Sequence, residues 1–469
     1  MPVPVINIAQ MREWEKSTWA TGQTEAEIIR RVGKKIARRV RKFTRAGDLI
    51  FILAGKGNNG SDARAAREHL DSRKVELLEV ESPENCLQGL ELMLRLKPAV
   101  IVDGLFGIGL NRPLNSAWKQ FIARVNESQI PVLAVDVPSG LNADTGETFG
   151  AAIKAAITLT VGAPKMGLLA QKAWPCVGRL EVADDVGLIP CPTVGELNWT
   201  LPEDFGQFPP SRSVAGHKGS FGHLAIVAGS FGFHGAAVLA ARAAQRAQPG
   251  LVTVFTQNEV YQPVAAQLQS AMVNVWNAKL ELPKKTSAVL IGPGLAQPEL
   301  AEAMKPFVRQ LWRDWPQPLI VDASALDWLE TSAAQNNFVR VITPHPGEAA
   351  RMLNVTTEQV QGNRPQALRE LSKKFGGAWV VLKGNQTLIG RAEGNIFVNP
   401  SGNPHLAQGG SGDALAGFIA GLLAQPELQK DVETTLRYAV WQHGAAADGL
   451  QSKRRNWTVE ELIMELGNV

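Results

Sequence analysis

Gly409-Gly410-Ser411-Gly412-Asp413-Ala414-Leu415-Ala416-Gly417-Phe418-Ile419-Ala420-Gly421-Leu422-Leu423 is the stretch that decides the fold of the second half of this chain. Leu415, Phe418, Ile419, Leu422 and Leu423 recur at i, i+3, i+4, i+7 and i+8, the spacing of a helix with a buried face. The glycines before them form a loop whose amides point out of the helix N-terminus, where the dipole favours phosphate oxygens. Asp413 falls in the first turn. It can simply complement the dipole, or it can take a proton from a hydroxyl that attacks a terminal phosphoryl group.

Working outward from that loop, short apolar runs alternate with helical patterns along the whole chain. In the second half they are Leu224–Ala228, Leu251–Phe255, Ala288–Ile291, Leu319–Val321 and Trp379–Leu382. In the first half they are Leu49–Leu53, Ala99–Val102, Val132–Val135 and Ile157–Val161. Runs this short and continuous suit strands buried on both faces, and their alternation with helices implies parallel α/β sheets. With 469 residues, two or three domains are expected. The segment Gly195 to Gly219, with Pro202, Pro209, Pro210, Ser211 and Ser213, reads as a linker, which sets a boundary near residue 208. The expected domains are therefore 1–208 and 209–469.

Composition excludes several classes. Hydrophobic content of 45% and charged content of 20% belong to a soluble globular protein. A net charge of +4 predicts no nucleic-acid partner, and no stretch approaches the ~18 apolar residues of a membrane span. The N-terminus lacks the pattern of a signal peptide. Three cysteines with no CxxC pair argue for a reducing compartment and against a structural zinc site. A cytoplasmic protein is expected, with no membrane partner.

In the first half, three strand ends carry polar, glycine-rich sequence, where open α/β sheets bind ligands. Gly55-Lys56-Gly57-Asn58-Asn59-Gly60-Ser61-Asp62 follows the first strand, with a helix expected from about Ala63. Asp103-Gly104-Leu105-Phe106-Gly107-Ile108-Gly109 follows the second. Asp136-Val137-Pro138-Ser139-Gly140-Leu141 follows the third, and Ala163-Pro164-Lys165-Met166-Gly167 comes later. These stretches resemble the NAD(P)HX epimerase family, also called the YjeF N-terminal domain, over roughly residues 5 to 190. The resemblance implies that Asn58, Asn59, Gly60, Ser61, Asp62, Gly107, Ile108, Gly109, Leu110, Asn111, Arg112, Pro113 and Asp136 contact a hydrated nicotinamide dinucleotide. It further implies that Asp136 is the acid/base and that Asn59, Asp103 and Ser139 hold a potassium ion; oxygen ligands suit such a hard cation. Ser61 stands where the family has a second glycine, and a side chain there can crowd a backbone–phosphate approach. Ala63 replaces a glycine, and Ile28-Ile29-Arg30-Arg31-Val32-Gly33 replaces a Leu-Met-Glu-x-Ala-Gly helix.

Arg30 to Arg45 holds nine basic residues in sixteen. Val32, Ile36, Val40 and Phe43 form a stripe at helical spacing, so the cations read first as a solvated or subunit-facing surface, and second as a site for RNA or an acidic partner.

In the second half, the order of motifs is His217-Lys218-Gly219, Gly229-Ser230, Gly235-Ala236-Ala237, Gly292-Pro293-Gly294, Asp322-Ala323-Ser324-Ala325-Leu326, Thr343-Pro344-His345-Pro346-Gly347-Glu348 and Lys383-Gly384-Asn385-Gln386-Thr387. With the GxGD helix start, this series resembles the ADP-dependent NAD(P)HX dehydratase family, a branch of the ribokinase-like enzymes, over about residues 210 to 465. The likeness implies that Ala236, Gly294, His345 and Asp413 face the hydrated dinucleotide. It implies that Lys383, Gly384, Asn385, Gln386, Thr387 and Gly412 contact the adenine nucleotide. His405-Leu406-Ala407-Gln408 and Ser324 depart from the family pattern outside the GxGD core.

Together the two resemblances imply an α/β protein of two three-layer αβα domains, the first Rossmann-like and the second ribokinase-like. They imply a bifunctional enzyme that epimerises R and S NADHX or NADPHX and dehydrates the S form with ADP or ATP. K⁺ in the first domain, Mg²⁺ with the nucleotide in the second, and a homo-oligomer are expected. Two other readings stand beside this one: a small-molecule kinase acting on a vitamin or sugar hydroxyl, and a first half that is a binding module.

Overall fold

Two compact units make up the computed structural model, which describes residues 3–277, 280–331 and 338–468. They divide between Gly195 and Glu196.

The first unit is a parallel sheet of six strands, β1 Leu49–Ala54, β2 Lys74–Glu79, β3 Val100–Gly104, β4 Val132–Val135, β5 Ile157–Val161 and β6 Arg179–Ala183, in the order β2-β1-β3-β4-β5-β6. The expected apolar runs are the interior strands, and their residues are almost all fully buried. β2 and β6 carry charges, as edge strands tolerate them. Helices α1 Ile8–Trp19, α2 Glu25–Phe43 and α3 Asn58–Ala66 belong to this unit. Val32, Ile36 and Val40 of α2 are buried against the sheet as the stripe predicts. Phe43 instead lies exposed, with the Arg39 guanidinium 4.3 Å over its ring. Arg39 also pairs with Glu181 and Lys35 with Asp184. Part of the basic face of α2 therefore ties the helix to β6 and the residues just after it.

The glycine-rich loop after β1 is shorter than its composition suggests. Helix α3 starts at Asn58, with Gly57 as N-cap and no side-chain capping bond, rather than near Ala63. A Cβ at Gly60 would lie 2.0 Å from the Gly55 carbonyl oxygen, so this turn closes only around glycine.

The second unit contains β7 Leu197–Trp199, β8 His223–Val227, β9 Leu251–Thr256, β10 Met272–Val275, β11 Ala288–Ile291, β12 Leu319–Val321, β13 Arg340–Ile342, β14 Trp379–Leu382, β15 Leu388–Gly390 and β16 Ile396–Val398. Their order is β7-β16-β15-β14-β13-β12-β11-β8-β9-β10. Pairing is parallel except at β14–β15 and β15–β16. The boundary expected near residue 208 moves to 195/196 for a physical reason: β7 pairs in parallel with β16, Phe205 packs into the core against Tyr438, and Asp204 is ion-paired with Arg437. The proline-rich segment is thus partly structural.

Helix α4 His234–Arg246 and helix α5 Ser411–Leu423 pack backbone to backbone. A Cβ at Gly417 would come within 2.1 Å of the Ala240 carbonyl oxygen, and one at Gly421 within 2.5 Å of that of Ala244. Glycine at these positions sets the separation of the two helices, and with it the place of the loop that starts α5.

Candidate active sites

In the first unit, the ends of β1, β3 and β4 surround a cavity of 790 Å³. Asn58, Asn59, Asp62, Gly107, Ile108, Gly109, Leu110, Asn111, Arg112 and Asp136 line it, together with Glu15 and Glu25. Gly60, Ser61 and Pro113 are not among the lining residues. Ser61 Oγ accepts from Arg64 Nη1 at 3.3 Å, so its side chain does not crowd the cavity.

Asp136 adopts φ of 62°, a strained conformation for a non-glycine residue. The strain persists because the carboxylate is held from several sides. Its Oδ1 accepts from Lys165 Nζ at 2.5 Å, Thr160 Oγ1 at 3.1 Å and the Val161 amide at 3.1 Å. Lys165 is fully buried, so this ammonium is committed to Asp136, Thr160 and the Val161 carbonyl. Oδ2 makes none of these bonds, which leaves one oxygen for a ligand in the cavity. Burial raises the Asp62 carboxyl well above its usual range, and the neighbouring Asp136, Glu15 and Glu25 carboxylates add to the shift. Glu15 is raised in the same way, first by burial and then by Asp136.

Asp103, Ser139 and Asn59 come together in the buried floor. Asp103 Oδ1 accepts from Ser139 Oγ at 2.6 Å and from the Leu105 amide at 3.2 Å, and Oδ2 accepts from the Ser139 amide at 2.9 Å. Burial lifts the Asp103 carboxyl to about 6 despite these bonds. Asn59 Nδ2 donates to the Phe106 carbonyl at 2.8 Å, while its Oδ1 is buried with no hydrogen-bond donor among the described residues. An orphaned amide oxygen beside a buried carboxylate and a hydroxyl is an oxygen donor set that fits a hard cation.

In the second unit, α5 begins at Ser411, with Gly410 as N-cap at φ of 93°. Asp413 is pushed up to about 7, by burial first and then by the nearby Asp322 carboxylate, with Lys383 opposing. Lys383 Nζ binds Asp322 Oδ1 at 2.8 Å and lies 3.9 Å from Glu348 Oε2. Burial pulls the Lys383 ammonium down, but these carboxylates outweigh it and hold it charged. His345 caps the helix Pro346–Leu353, its Nδ1 accepting from the Gly347 amide at 3.0 Å. The ring is half exposed, which leaves Nε2 as the edge open to a ligand, 3.6 Å from Glu348 Oε1.

The loop Lys383 to Thr387 holds Gly384 at φ of 130° and Gln386 at φ of 53°. It is fixed by the buried Arg364, whose guanidinium donates to the carbonyls of Leu382, Lys383, Asn385 and Gln386. A Cβ at Gly412 would lie 3.5 Å from Lys383 Nζ, so this loop and the start of α5 meet at the Lys383 ammonium. Gly294 lies against helix α4, where a Cβ would come within 2.8 Å of Ala236 Cβ. Sequence reasoning did not select Asp322, Glu348, Arg364 or His443 as site residues. His443 is buried, contacts the Ser411 carbonyl at 3.1 Å, and is pushed down to about 4 by burial, so a neutral ring supports the start of α5. Asp322 and Glu348 lie inside motifs already singled out; Arg364 and His443 carry no local signal.

A family model for NAD(P)H-hydrate dehydratase matches residues 224–466, and one for the YjeF-related protein N-terminus matches 25–91 and 75–167. The chain is 36% identical over 464 residues to a bifunctional NAD(P)H-hydrate repair enzyme of Coxiella burnetii, covering 94% of this chain and 93% of that one. It is 32% identical over 455 residues to the Escherichia coli enzyme of the same name, covering 92% and 86%. A solved structure from Streptococcus mutans aligns with 29% identity and a TM-score of 0.50, covering 55% of this chain and 93% of that one. A Bacillus subtilis ADP/ATP-dependent NAD(P)H-hydrate dehydratase, co-crystallised with ATP/Mg²⁺, aligns at 32% identity and a TM-score of 0.49, covering 55% and 92%. The chain belongs to the bifunctional NAD(P)H-hydrate repair enzyme family. Among the described residues no helix is long and apolar enough to cross a membrane.

Proposed function

We propose that the first unit interconverts the R and S epimers of NADHX and NADPHX, and that the second dehydrates the S epimer using ADP or ATP. The observation that carries this reading is Asp413, raised to about 7 at the start of α5 and beside a lysine held charged by two other carboxylates. A base of that kind is matched to proton transfer near neutrality.

In the second unit, Asp413 takes the proton from the ring hydroxyl as its oxygen attacks the terminal phosphorus. The P–O bond to the nucleotide breaks, and AMP or ADP leaves. The Gly409–Gly412 amides and Lys383 neutralise charge as it develops on the phosphoryl oxygens. The phosphate ester then departs as orthophosphate, with its C–O electron pair, and the adjacent carbon loses a proton to restore the ring double bond. Ala236, Gly294 and His345 would face the dinucleotide, and Lys383 to Thr387 with Gly412 the nucleotide. Mg²⁺ bound with the nucleotide would offset phosphate charge, and Asp322 and Glu348, the carboxylates that face Lys383, would supply oxygen donors to it. In the first unit, the free oxygen of Asp136 would exchange the proton needed to invert the hydrated carbon. Asn59, Asp103 and Ser139 would hold K⁺, which supplies fixed positive charge.

The test is incubation with mixed NADHX epimers and ADP, following NADH absorbance. Complete conversion is expected. Arrest once the S form is consumed would remove the epimerase, and a retained phosphorylated product without NADH would replace the dehydratase by a kinase.

A further inference from the structure

Phe231 and Phe233 are 66% and 50% exposed. Exposed large apolar side chains set close together in the chain are candidates for a ligand contact. Both sit on the Gly229–Phe233 loop that follows β8, and this loop is tied down. Ser230 Oγ donates to the Gly294 carbonyl at 2.7 Å, the Gly229 amide to the Pro293 carbonyl at 2.9 Å, and the Phe231 amide to Gln257 Oε1 at 3.0 Å. The Phe233 carbonyl is so close to Gly294 that a Cβ there would come within 2.5 Å. The rings are thus exposed on a fixed backbone, which lowers the entropic cost of using them.

Their place in the sheet sets them apart from the loop assigned to the adenine nucleotide. The loop Lys383 to Thr387 follows β14, four strands from β8 in the order β14-β13-β12-β11-β8. At ~4.8 Å per strand the two loops are roughly 19 Å apart. The dinucleotide is the ligand on the β8–β11 side. Of its two rings, the hydrated nicotinamide contains tetrahedral carbons and must present its hydroxyl to Asp413, whereas adenine is flat and aromatic. We infer that Phe231 and Phe233 are positioning residues that stack on the adenine of the hydrated dinucleotide in the dehydratase unit. This inference rests on the dehydratase reading above.

The experiment measures ADP-dependent NADH formation by the full chain from S-NADHX, and from the S form of the corresponding mononucleotide hydrate, which lacks the adenosine. The Phe231→Ala/Phe233→Ala variant should show KM for S-NADHX raised about tenfold, with kcat, KM for ADP and the melting temperature unchanged. Its KM for the mononucleotide hydrate should equal that of the wild type, and Phe231→Trp/Phe233→Trp should restore the wild-type KM for S-NADHX. An unchanged KM for S-NADHX with an active wild type overturns this inference alone. Equal loss on both substrates overturns the adenine assignment, and failure of the Trp variant to recover overturns stacking. A wild type that forms no NADH overturns the dehydratase reading and this inference with it.

Discussion

Asp136 and Asp413 are two carboxylates at the ends of parallel strands or at a helix start, set up in opposite ways. Asp136 keeps a buried ammonium 2.5 Å away and accepts three hydrogen bonds on one oxygen, in a backbone conformation its neighbours enforce. Asp413 has no ion pair among the described residues, and the neighbouring Lys383 ammonium is bound to Asp322. Burial first, and then the nearby Asp322 carboxylate, push its carboxyl up to about 7. The contrast separates orientation from basicity: the first unit fixes where a carboxylate oxygen points, and the second fixes when it accepts a proton.

The sharpest way to break that contrast is to remove each carboxylate in turn. Asp413→Asn should lower dehydration of S-NADHX by about 10³-fold while epimerisation persists. Asp136→Asn should do the reverse, read by chromatographic separation of the epimers. Next in size, Lys165→Met leaves Asp136 in a buried setting without its counter-charge. The melting transition of the first unit should fall by about 3–5 kcal/mol in stability, with epimerisation lost and S-NADHX dehydration retained. A smaller effect is expected from replacing K⁺ by a bulky organic cation, which should slow epimerisation about tenfold and leave dehydration from the S epimer unchanged.

The pH profile tests the other side. Below pH 7, Asp413 binds a proton and cannot accept another, so kcat/KM for S-NADHX should fall about tenfold per pH unit and level off above 7. The sign for stability is the opposite. A carboxyl raised in the folded state from 3.8 to about 7 gives stability that is fully present below about 4 and is lost as pH rises through 7. Asp413→Asn should therefore melt above the wild type at pH 8, while the two converge at low pH. The smallest effect belongs to Ser61→Gly, which should change epimerase KM less than about twofold, since Ser61 faces Arg64 rather than the cavity.

The legible parts of this molecule are those where chemistry is local. Interior strands such as Val132–Val135 and Ala288–Ile291 stand out because both their faces are buried. The edge strand Lys74–Glu79, with its alternating exposed charges, and the short antiparallel strands Leu388–Gly390 and Ile396–Val398 do not. The start of α3 was misplaced because Asn58 to Asp62 has the composition of a loop, while backbone amides and the glycine-only turn at Gly60 set the helix. In the first unit most of the motif residues line one cavity, Gly60, Ser61 and Pro113 excepted, and in the second Gly412 meets Lys383 at the start of α5. What closes them is long-range: Arg364 reaching four carbonyls of a loop some twenty residues away, His443 meeting Ser411 from a later helix, and Asp204 reaching Arg437 across the unit.

The contact of Gly417 and Gly421 with Ala240 and Ala244 has a mechanical consequence. With two backbones touching, the helices carrying Ala236 and Asp413 cannot slide or part without breaking the contact, and they act as one rigid jig. The distance between Ala236 and the Gly409–Asp413 loop is thereby set at folding, before any ligand arrives. Any adjustment on binding must come from the loops at the rim.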